Sequence, residues 1–161
     1  MTLPVILLVS GSRILADDER AARWARGFIT RAWDEDPRPT VVVTGDARGP
    51  DTWARIEAVQ RLVPFYCYAS SGRIVGKDGK DFGRWTKHDP PERGANRAEW
   101  AAWLLHRDRV MAQHVARRFR EGATARVLAL VHQASPTKGT DYTVGRCRAL
   151  GLNVQREEYA R

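Results

Sequence analysis

The sequence predicts an α/β fold, a Rossmann-like three-layer sandwich in which helices cover both faces of a mostly parallel sheet of about five strands. Short apolar runs alternate with longer segments whose apolar residues recur at helical spacing. These runs are continuously apolar, which is typical of strands buried on both faces of a parallel sheet. With 161 residues the chain has the length of one domain. We therefore expect a single domain over 1–161 with a loop or hairpin insertion over 69–97.

In the first half of the chain, branched apolar runs predict strands, and capping residues predict where the helices begin. Asp17 or Asp18 can cap the first helix, and Pro50-Asp51 suits the start of the second. The predicted elements are a strand over 4–9, a helix over 17–33, a strand over 40–44, a helix over 51–62 and a strand over 63–68.

Residues 69–96 interrupt this regularity, because they are rich in Gly, Lys, Asp and Pro and show little hydrophobic periodicity. Lys77-Asp78-Gly79-Lys80 predicts a hairpin tip, since Asp-Gly accepts the positive φ of a tight turn. A loop of this length is usually functional or mobile. Two interpretations stay open: the segment, with Trp85 and His88, covers a ligand, or it is a surface loop or an oligomer contact.

In the second half of the chain the same alternation continues. Apolar residues at helical spacing predict one long helix or a pair of helices over 97–120. A strand follows over 125–131, then a helix over 139–150 that ends at Gly151, and a last strand over 152–155.

The loops that follow the strands are the expected binding site, because parallel sheets bind ligands beyond the carboxyl ends of their strands. After the first strand, Gly11 allows a close backbone approach, Ser12 can hydrogen-bond a phosphate and Arg13 can neutralise it. After the second strand come Gly45, Asp46, Arg48, Gly49 and Asp51.

After the fourth strand, residues 132–141 lead into the last helix, whose amino-terminal amides are free to meet an anion. Each loop taken alone is typical of an ordinary βα turn, in which Asp caps a helix. Three loops that converge on one sheet edge with Arg13, Arg48 and Lys138 predict phosphate binding. Neither the Walker pattern GxxxxGK[ST] nor GxGxxG is present.

Arg107 and Met111 are four residues apart in the long helix and so share one face. That face can offer the arginine to a ligand and the methionine to the core. An amphipathic helix with a solvated arginine and a buried methionine explains the same spacing.

Four short motifs together resemble the YspA-like branch of the SLOG superfamily, whose relatives include the LOG phosphoribohydrolases and the DprA Rossmann domain. The motifs are Val9-Ser10-Gly11-Ser12-Arg13, Gly45-Asp46-Ala47-Arg48-Gly49-Pro50-Asp51, Arg107-Asp108-Arg109-Val110-Met111, and Gly139-Thr140 with Gly151-Leu152-Asn153-Val154. Their order matches over nearly the whole chain outside 69–97. The resemblance implies a Rossmann-like fold that binds a phosphorylated nucleotide or nucleotide-derived ligand related to ADP-ribose. It implies ligand contacts from Gly11, Ser12, Arg13, Gly45, Arg48, Gly49, Asp51, Arg107, Gly139 and Thr140.

Several positions depart from the family pattern. Asp46 replaces a common Gly, and Asp108 replaces a usual Asn, so both add negative charge beside an expected anion site. The LOG enzymes carry PGGxGTxxE, whereas here Thr143 occupies the Glu position and residues 136–138 replace Pro-Gly-Gly. Loss of that carboxylate disfavours LOG-type hydrolysis. The candidate substitutes are Asp51, Asp141 and Asp46.

Three functions remain in competition. The first is a binding or sensing module for a nucleotide-derived ligand, and the second is a hydrolase of N-glycosidic or phosphate bonds. The third is nucleic-acid binding, prompted by a net charge of +8 and a pI near 10.2. It would use Arg117, Arg118 and Arg120 with stacking by Trp85, Trp100 and Trp103. Core packing and a solvated helix end explain most of these residues equally well.

The remaining features concern partners and location. Trp100, Trp103 and Leu104 form an apolar stripe that could be a homodimer face. Four scattered histidines and two cysteines without a CxxC spacing predict neither a metal site nor a disulfide framework. Since no apolar run approaches the roughly 20 residues of a membrane span and the start lacks a basic region, we expect a cytoplasmic location.

Overall fold

The computed structural model describes residues 3–135 and 138–160. Strands and helices follow in the order that the sequence predicts, with a hairpin added in the insertion. They are β1 (Val5–Gly11), α1 (Glu19–Asp34), β2 (Val41–Gly45), α2 (Pro50–Gln60), β3 (Phe65–Tyr68), β4 (Arg73–Val75), β5 (Asp81–Arg84), α3 (Arg97–Arg120), β6 (Thr124–His132), α4 (Gly139–Ala149) and β7 (Asn153–Tyr159). Short 3-10 turns cover Arg13–Asp17 and Lys77–Gly79.

All seven strands form one mixed sheet in the order β5-β4-β3-β2-β1-β6-β7. The pairs that join β3, β2, β1, β6 and β7 are parallel, and these are the five strands that the sequence predicts. The expectation of about five strands is nevertheless too low, because β4 and β5 extend the β3 edge in antiparallel pairing. These strands have only three and four residues, so they carry too little periodicity to be recognised in the sequence.

Helices pack on both faces of the sheet, which makes the three layers. Along β1, Leu7 and Val9 join a core with Ala25 of α1 and Ala54 of α2. The intervening Ile6 and Leu8 join a core on the other face with residues of α3 and α4, including Met111, Val115 and Cys147. Both faces of β1 are therefore buried, which explains its unbroken apolar sequence.

The helix boundaries follow from local capping. α1 begins after Asp18, whose carboxylate accepts a hydrogen bond from the backbone N–H of Arg20, and Asp17 belongs to the preceding 3-10 turn. α3 is a single helix of 24 residues, capped by the Asn96 side chain. The alternative of two helices over 97–120 is therefore wrong. Among the described helices, none is long and apolar enough to cross a membrane.

The insertion folds onto the body of the domain. The predicted hairpin tip is confirmed, since Asp78 and Gly79 adopt φ values of 58° and 75°. Beyond the hairpin, Trp85 is buried and packs on Trp103 of α3, with the ring centroids 4.8 Å apart. Residues 73–85 are thus part of the sheet edge and the core, and only the following stretch up to α3 lacks regular structure.

Candidate functional site

The loops after β1 and β2 pack directly against each other at the carboxyl edge of the sheet. A Cβ at Gly11 would clash with the ring of Pro50, the first residue of α2. Gly49 has a φ of 89°, and a Cβ there would lie 3.4 Å from the carbonyl oxygen of Ser12. Two of the predicted glycines therefore allow the close contact that brings the two loops together.

Ser12 is fixed between β1 and β6. Its backbone N–H donates to the carbonyl of Leu130 at 2.9 Å, and its Oγ accepts from the backbone N–H of His132 at 3.2 Å. The hydroxyl proton remains available as a donor, because the bond to His132 uses only an oxygen lone pair.

Arg13 comes next in the chain and is exposed at the start of the 3-10 turn. Within residues 3–135 and 138–160, no hydrogen bond or ion pair holds its guanidinium. Arg48 differs, because it forms a two-pronged ion pair with Asp17 in which both side chains are about half exposed. This pair raises the pKa of Arg48 and lowers the pKa of Asp17 through their hydrogen bond.

α4 begins at the end of the chain segment that follows β6. Among the described side chains none caps it; Gly139 is partly exposed and Thr140 is buried. We call Ser12, Arg13, Gly139 and Thr140 the Arg13 corner, since they follow the adjacent strands β1 and β6. Pro136 and Thr137, which replace part of the LOG motif, lie outside the described residues.

A second group surrounds Arg107, which is 6% exposed. Its Nη1 donates to Oδ1 of Asp46 at 2.7 Å, and its Nε and Nη2 donate to Oδ1 of Asp108 at 3.1 and 3.0 Å. A Cβ at Gly45 would lie 2.9 Å from Cζ of Arg107, so glycine is needed where this side chain crosses the end of β2. We call Asp46, Asp51, Arg107 and Asp108 the carboxylate cluster.

Asp46 is the most open member of the carboxylate cluster. Its Oδ2 accepts hydrogen bonds from the backbone N–H and the hydroxyl of Ser70, both at 2.8 Å. With Arg107 on Oδ1, three donors hold this carboxylate, and its side chain is still 28% exposed.

Asp51 is the least satisfied member of the cluster. It is 4% exposed; its Oδ2 accepts from the backbone N–H of Ala47 at 3.2 Å, and its Oδ1 has no partner among the described residues. Burial raises the pKa of Asp51 to about 7, although Arg107 and Arg55 oppose that shift. Burial also raises the pKa of Asp108, against the opposing charge of Arg107. Near neutral pH the carboxyl group of Asp51 is therefore partly protonated.

Sequence reasoning missed two residues that build the cluster. Arg55 donates from Nη1 to the Thr44 hydroxyl at 3.1 Å and to the Gly45 carbonyl at 2.5 Å, beneath the end of β2. Its signal was its position one helical turn after Asp51. Ser70 lies two residues beyond β3 and was assigned to the insertion, where nothing in the local sequence marks it.

Of the predicted residues of α4, Asp141 lies apart from the cluster, whereas Gly139 and Thr143 border it at Asp108; a Cβ at Gly139 would lie 4.0 Å from Oδ2 of Asp108. Asp141 forms an ion pair with Arg156 of β7 at 2.8 Å, so this catalytic candidate is not grouped with Asp46 and Asp51. Thr143 is fully buried; its hydroxyl donates to the Gly139 carbonyl at 3.1 Å and contacts Asp108, whose pKa it lowers. The position of the missing LOG glutamate thus faces the carboxylate of Asp108.

The tryptophans proposed for base stacking are structural. Nε1 of Trp85 donates to the Ala69 carbonyl at 2.7 Å, and Nε1 of Trp103 donates to the Ser70 carbonyl at 2.8 Å. Both rings are buried, and Trp100 and Leu104 are partly buried against the same core. The stripe considered as a homodimer face is therefore largely covered within the chain.

The basic helix end lies at the opposite edge of the sheet. Arg117, Arg118 and Arg120 are exposed in the last turn of α3. The first two border a groove of about 490 Å³ whose walls include Pro4, Thr40, Pro64, Tyr66 and Phe82. The cationic residues of the third hypothesis thus lie far from the strand-end loops.

Cys67 borders the carboxylate cluster, since its Sγ donates to the Gly45 carbonyl at 3.3 Å and accepts from Nη1 of Arg55 at 3.4 Å. His132 is buried, and its Nδ1 accepts from the backbone N–H of Ala134 at 3.0 Å. Cys67 and Cys147 are free and buried. Within the described part of the chain, no group of three or more His, Cys, Asp or Glu residues could hold a metal ion.

Comparison with known proteins supports the fold. No family model matches the chain, and no curated protein matches it either. The X-ray structure of DNA processing protein A (DprA) from Streptococcus pneumoniae is similar, with a TM-score of 0.58 and 19% sequence identity. The similarity covers 96% of this chain and 50% of that one, so the chain spans about half the length of DprA. This shows a shared Rossmann-like fold, while the YspA-like branch of the SLOG superfamily stays a prediction.

Proposed function

We propose that this protein binds a phosphorylated nucleotide or nucleotide-derived ligand, of the ADP-ribose type, at the carboxyl edge of its sheet. It would act as a binding or sensing module. The observation that carries the proposal is the guanidinium of Arg13, which has no partner among the described residues and follows the buried Ser12 at the end of β1. Arginine binds phosphate through a planar pair of N–H donors, and an unpaired one at a strand end is available to do so.

The Arg13 corner supplies the other parts of a phosphate site. The Ser12 hydroxyl retains its proton as a donor, and the first backbone N–H groups of α4 have no partner within their helix. The positive end of the helix dipole adds to the attraction of an anion. Arg13, Ser12 and α4 thus supply a charge, a hydroxyl and backbone amides after the adjacent strands β1 and β6.

The carboxylate cluster would serve a different purpose. The resemblance implies a phosphate contact from Arg107, but three hydrogen bonds already tie its guanidinium to Asp46 and Asp108. A phosphate there would have to compete with two carboxylates. This supports a positioning role for Arg107, which holds Asp46 in place beside the bound nucleotide.

A thermal-shift screen tests the proposal. AMP, ADP, ADP-ribose, NAD, cyclic nucleotides and a short single-stranded DNA would each be added to the wild type, Arg13→Ala and Arg23→Ala. Arg23 is an exposed arginine of α1 and serves as the matched control. A ligand at 100 times its Kd stabilises the folded state by about 2.7 kcal/mol. We expect a shift with at least one nucleotide that Arg13→Ala removes and Arg23→Ala retains. No shift with any nucleotide, or the same shift in both variants, would refute the proposal.

Hydrolysis of an N-glycosidic or phosphate bond is the second candidate, and Asp51 is the observation that favours it. A buried carboxyl with an unpaired oxygen and a pKa of about 7 can donate or accept a proton near neutral pH. Release of free base or ribose phosphate from a shifting nucleotide, abolished in Asp51→Asn, would establish this reaction. A thermal shift without hydrolysis of the nucleotide would favour the binding module over the hydrolase.

Nucleic-acid binding is the third candidate, suggested by the name of the similar DNA processing protein and by the exposed arginines beside the groove. Its affinity would fall steeply with added salt, because binding releases counterions from the DNA. Because Trp85 and Trp103 are buried, they are not available for stacking on bases, which weakens this candidate. DNA binding that Arg117→Ala and Arg118→Ala weaken, without any nucleotide shift, would favour it over the nucleotide site.

A further inference from the structure

We infer that the groove between α3 and the hairpin β4–β5 binds a fatty-acid-like ligand, an unbranched apolar chain with one carboxylate. The groove lies at the amino edge of the sheet, where Pro4, Thr40 and Pro64 precede β1, β2 and β3. It is separate from the strand-end loops, so the inference goes beyond the proposed function and does not depend on it.

The groove is long and apolar. Each of five neighbouring strands, β1 to β5, contributes to its lining, with Ile6, Val41, Tyr66, Ile74 and Phe82 in that order. Since neighbouring strands lie about 4.8 Å apart, the lining extends for roughly 19 Å across the sheet. Its volume of about 490 Å³ falls within the range of small-molecule sites. An extended chain suits this shape better than a compact molecule.

The groove stays open because the insertion fills only part of the space beside α3. Near the carboxyl edge, Trp85 packs on Trp103 and both rings are buried. Toward the amino edge, Phe82 packs edge-on against Tyr66 with the ring centroids 4.7 Å apart, and Phe82 is still 40% exposed. An exposed aromatic side chain on the wall of an apolar groove is typical of a binding site.

One part of the groove is cationic. His114, Arg117 and Arg118 are three and four residues apart on α3, so they share the face that borders the groove. Nε of Arg118 lies 3.8 Å from a carboxylate oxygen of Glu121, whereas no ion pair or hydrogen bond holds the guanidinium of Arg117 in the parts of the chain that the structure describes. Among the described residues that line the groove, none is acidic. This part of the groove therefore complements an anionic head group.

Tyr68 and His114 add a hydrogen-bond donor to the lining. The Tyr68 hydroxyl and Nδ1 of His114 share a hydrogen bond, and no other hydrogen bond holds either group within the described residues. Burial raises the pKa of Tyr68 and lowers the pKa of His114, so both side chains are uncharged near neutral pH. The neutral pair carries two polar protons and uses one of them in the shared bond. Whichever tautomer His114 adopts, one donor is left for a ligand.

A small amphipathic anion explains the groove better than a macromolecule does. A two-fold contact between two copies centred here would bring the arginines of both copies together, which like charges disfavour. A nucleic-acid strand would use the arginines but would leave the apolar lining in water. A carboxylate on an apolar chain satisfies the charge, the donor and the lining at once.

Isothermal titration calorimetry of the 161-residue chain with dodecanoate, octanoate and 1-octanol separates the contributions of chain length and charge. Arg117→Ala removes the cation without a partner, and Phe82→Ala removes part of the apolar wall. The matched controls are Arg120→Ala and Phe119→Ala, which change exposed residues of the last turn of α3 outside the groove lining. Phe119 is 43% exposed, close to the value for Phe82, so both phenylalanine variants are expected to fold.

We expect dodecanoate to bind at one site and at least tenfold more tightly than octanoate, because four more methylene groups are buried. Arg117→Ala should weaken both carboxylates about threefold to tenfold and leave 1-octanol unchanged. Phe82→Ala should weaken all three ligands, since each loses apolar contact. Arg120→Ala and Phe119→Ala should bind like the wild type.

Three results would overturn the inference. The first is no saturable binding of dodecanoate, and the second is an equal effect of each variant and its matched control. The third is a dimer in sedimentation equilibrium that Phe82→Ala dissociates, because the groove would then be an interface between two copies. Each of these results leaves the proposed nucleotide site untouched, since that site is tested through Arg13.

Discussion

Arg107 and Arg13 reach the same edge of the sheet in opposite states. Arg107 is buried and tied by three hydrogen bonds to Asp46 and Asp108, whereas Arg13 is exposed and, in the described part of the chain, unpaired. A buried charge must be paired, because an isolated one is very costly in a medium of low dielectric. The fold thus uses one arginine to position its carboxylates and leaves the other exposed, which supports the proposal that Arg13 meets the ligand.

The largest expected effect is the difference in unfolding free energy between variants of the two arginines. Arg107→Ala leaves Asp46 and Asp108 without their cation and should lower the free energy of unfolding by roughly 3–5 kcal/mol. Arg13→Ala should change it by less than about 0.5 kcal/mol. Urea denaturation followed by circular dichroism measures both values. Similar losses of unfolding free energy in the two variants would contradict this difference between Arg107 and Arg13.

The pH dependence of stability tests the other half of the comparison, the buried carboxylate cluster around Arg107. Burial raises the pKa of Asp51 from 3.8 in the unfolded chain to about 7 in the folded state. The unfolded chain therefore releases this proton first, so the contribution of Asp51 to stability is full below pH 4, falls as pH rises toward 7, and then levels off. The shift corresponds to at most about 4 kcal/mol.

Asp51→Asn cannot ionise and should flatten this decline, as urea midpoints between pH 4 and pH 8 would show. Asp81→Asn is the control, since the Arg73 hydrogen bond lowers the pKa of Asp81 and its contribution to stability is lost only in acid. A decline of equal size in Asp51→Asn and in the wild type would show that another group carries the pH dependence.

The smallest effect tests how closely the cluster is packed. In Gly45→Ala, the new Cβ would lie 2.9 Å from Cζ of Arg107 and 3.0 Å from Oδ2 of Asp51. Since Arg107 is buried, it cannot move away freely, and we expect a loss of roughly 1–3 kcal/mol. Gly94→Ala, with no atom within 4 Å of the new Cβ, should leave the stability nearly unchanged. Thermal melts of both variants and the wild type measure the difference. Equal melting temperatures would mean that the cluster is loosely packed.

The sequence predicts the parallel part of the fold well, because its strands are continuous apolar runs between capped helices. β1 needs both faces apolar, with Leu7 and Ile6 in opposite cores, and this pattern is visible directly in the chain. The hairpin strands β4 and β5 escape notice because they are short and lie at an edge. The motif order also places the strand-end loops correctly on one edge.

The state of each charged side chain could not be predicted in the same way. Nothing in the local sequence indicates that Arg107 donates to Asp46, since 61 residues separate them and only the fold brings them together. Trp85 is a stacking candidate by sequence alone, but in the fold it packs on Trp103 and donates to the carbonyl of Ala69. Motifs thus predict which loops share one edge of the sheet, and tertiary contacts decide which charged side chains in those loops are already paired.

The most direct test of this account is to map a bound nucleotide on the folded protein by amide chemical shifts during an ADP titration. We expect the largest changes on the backbone N–H groups of Ser12, Arg13, Gly139 and Thr140, with a smaller change at Ser70. Changes centred on Tyr66 and Phe82 in the opposite groove, or no saturable change at the Arg13 corner, would contradict it.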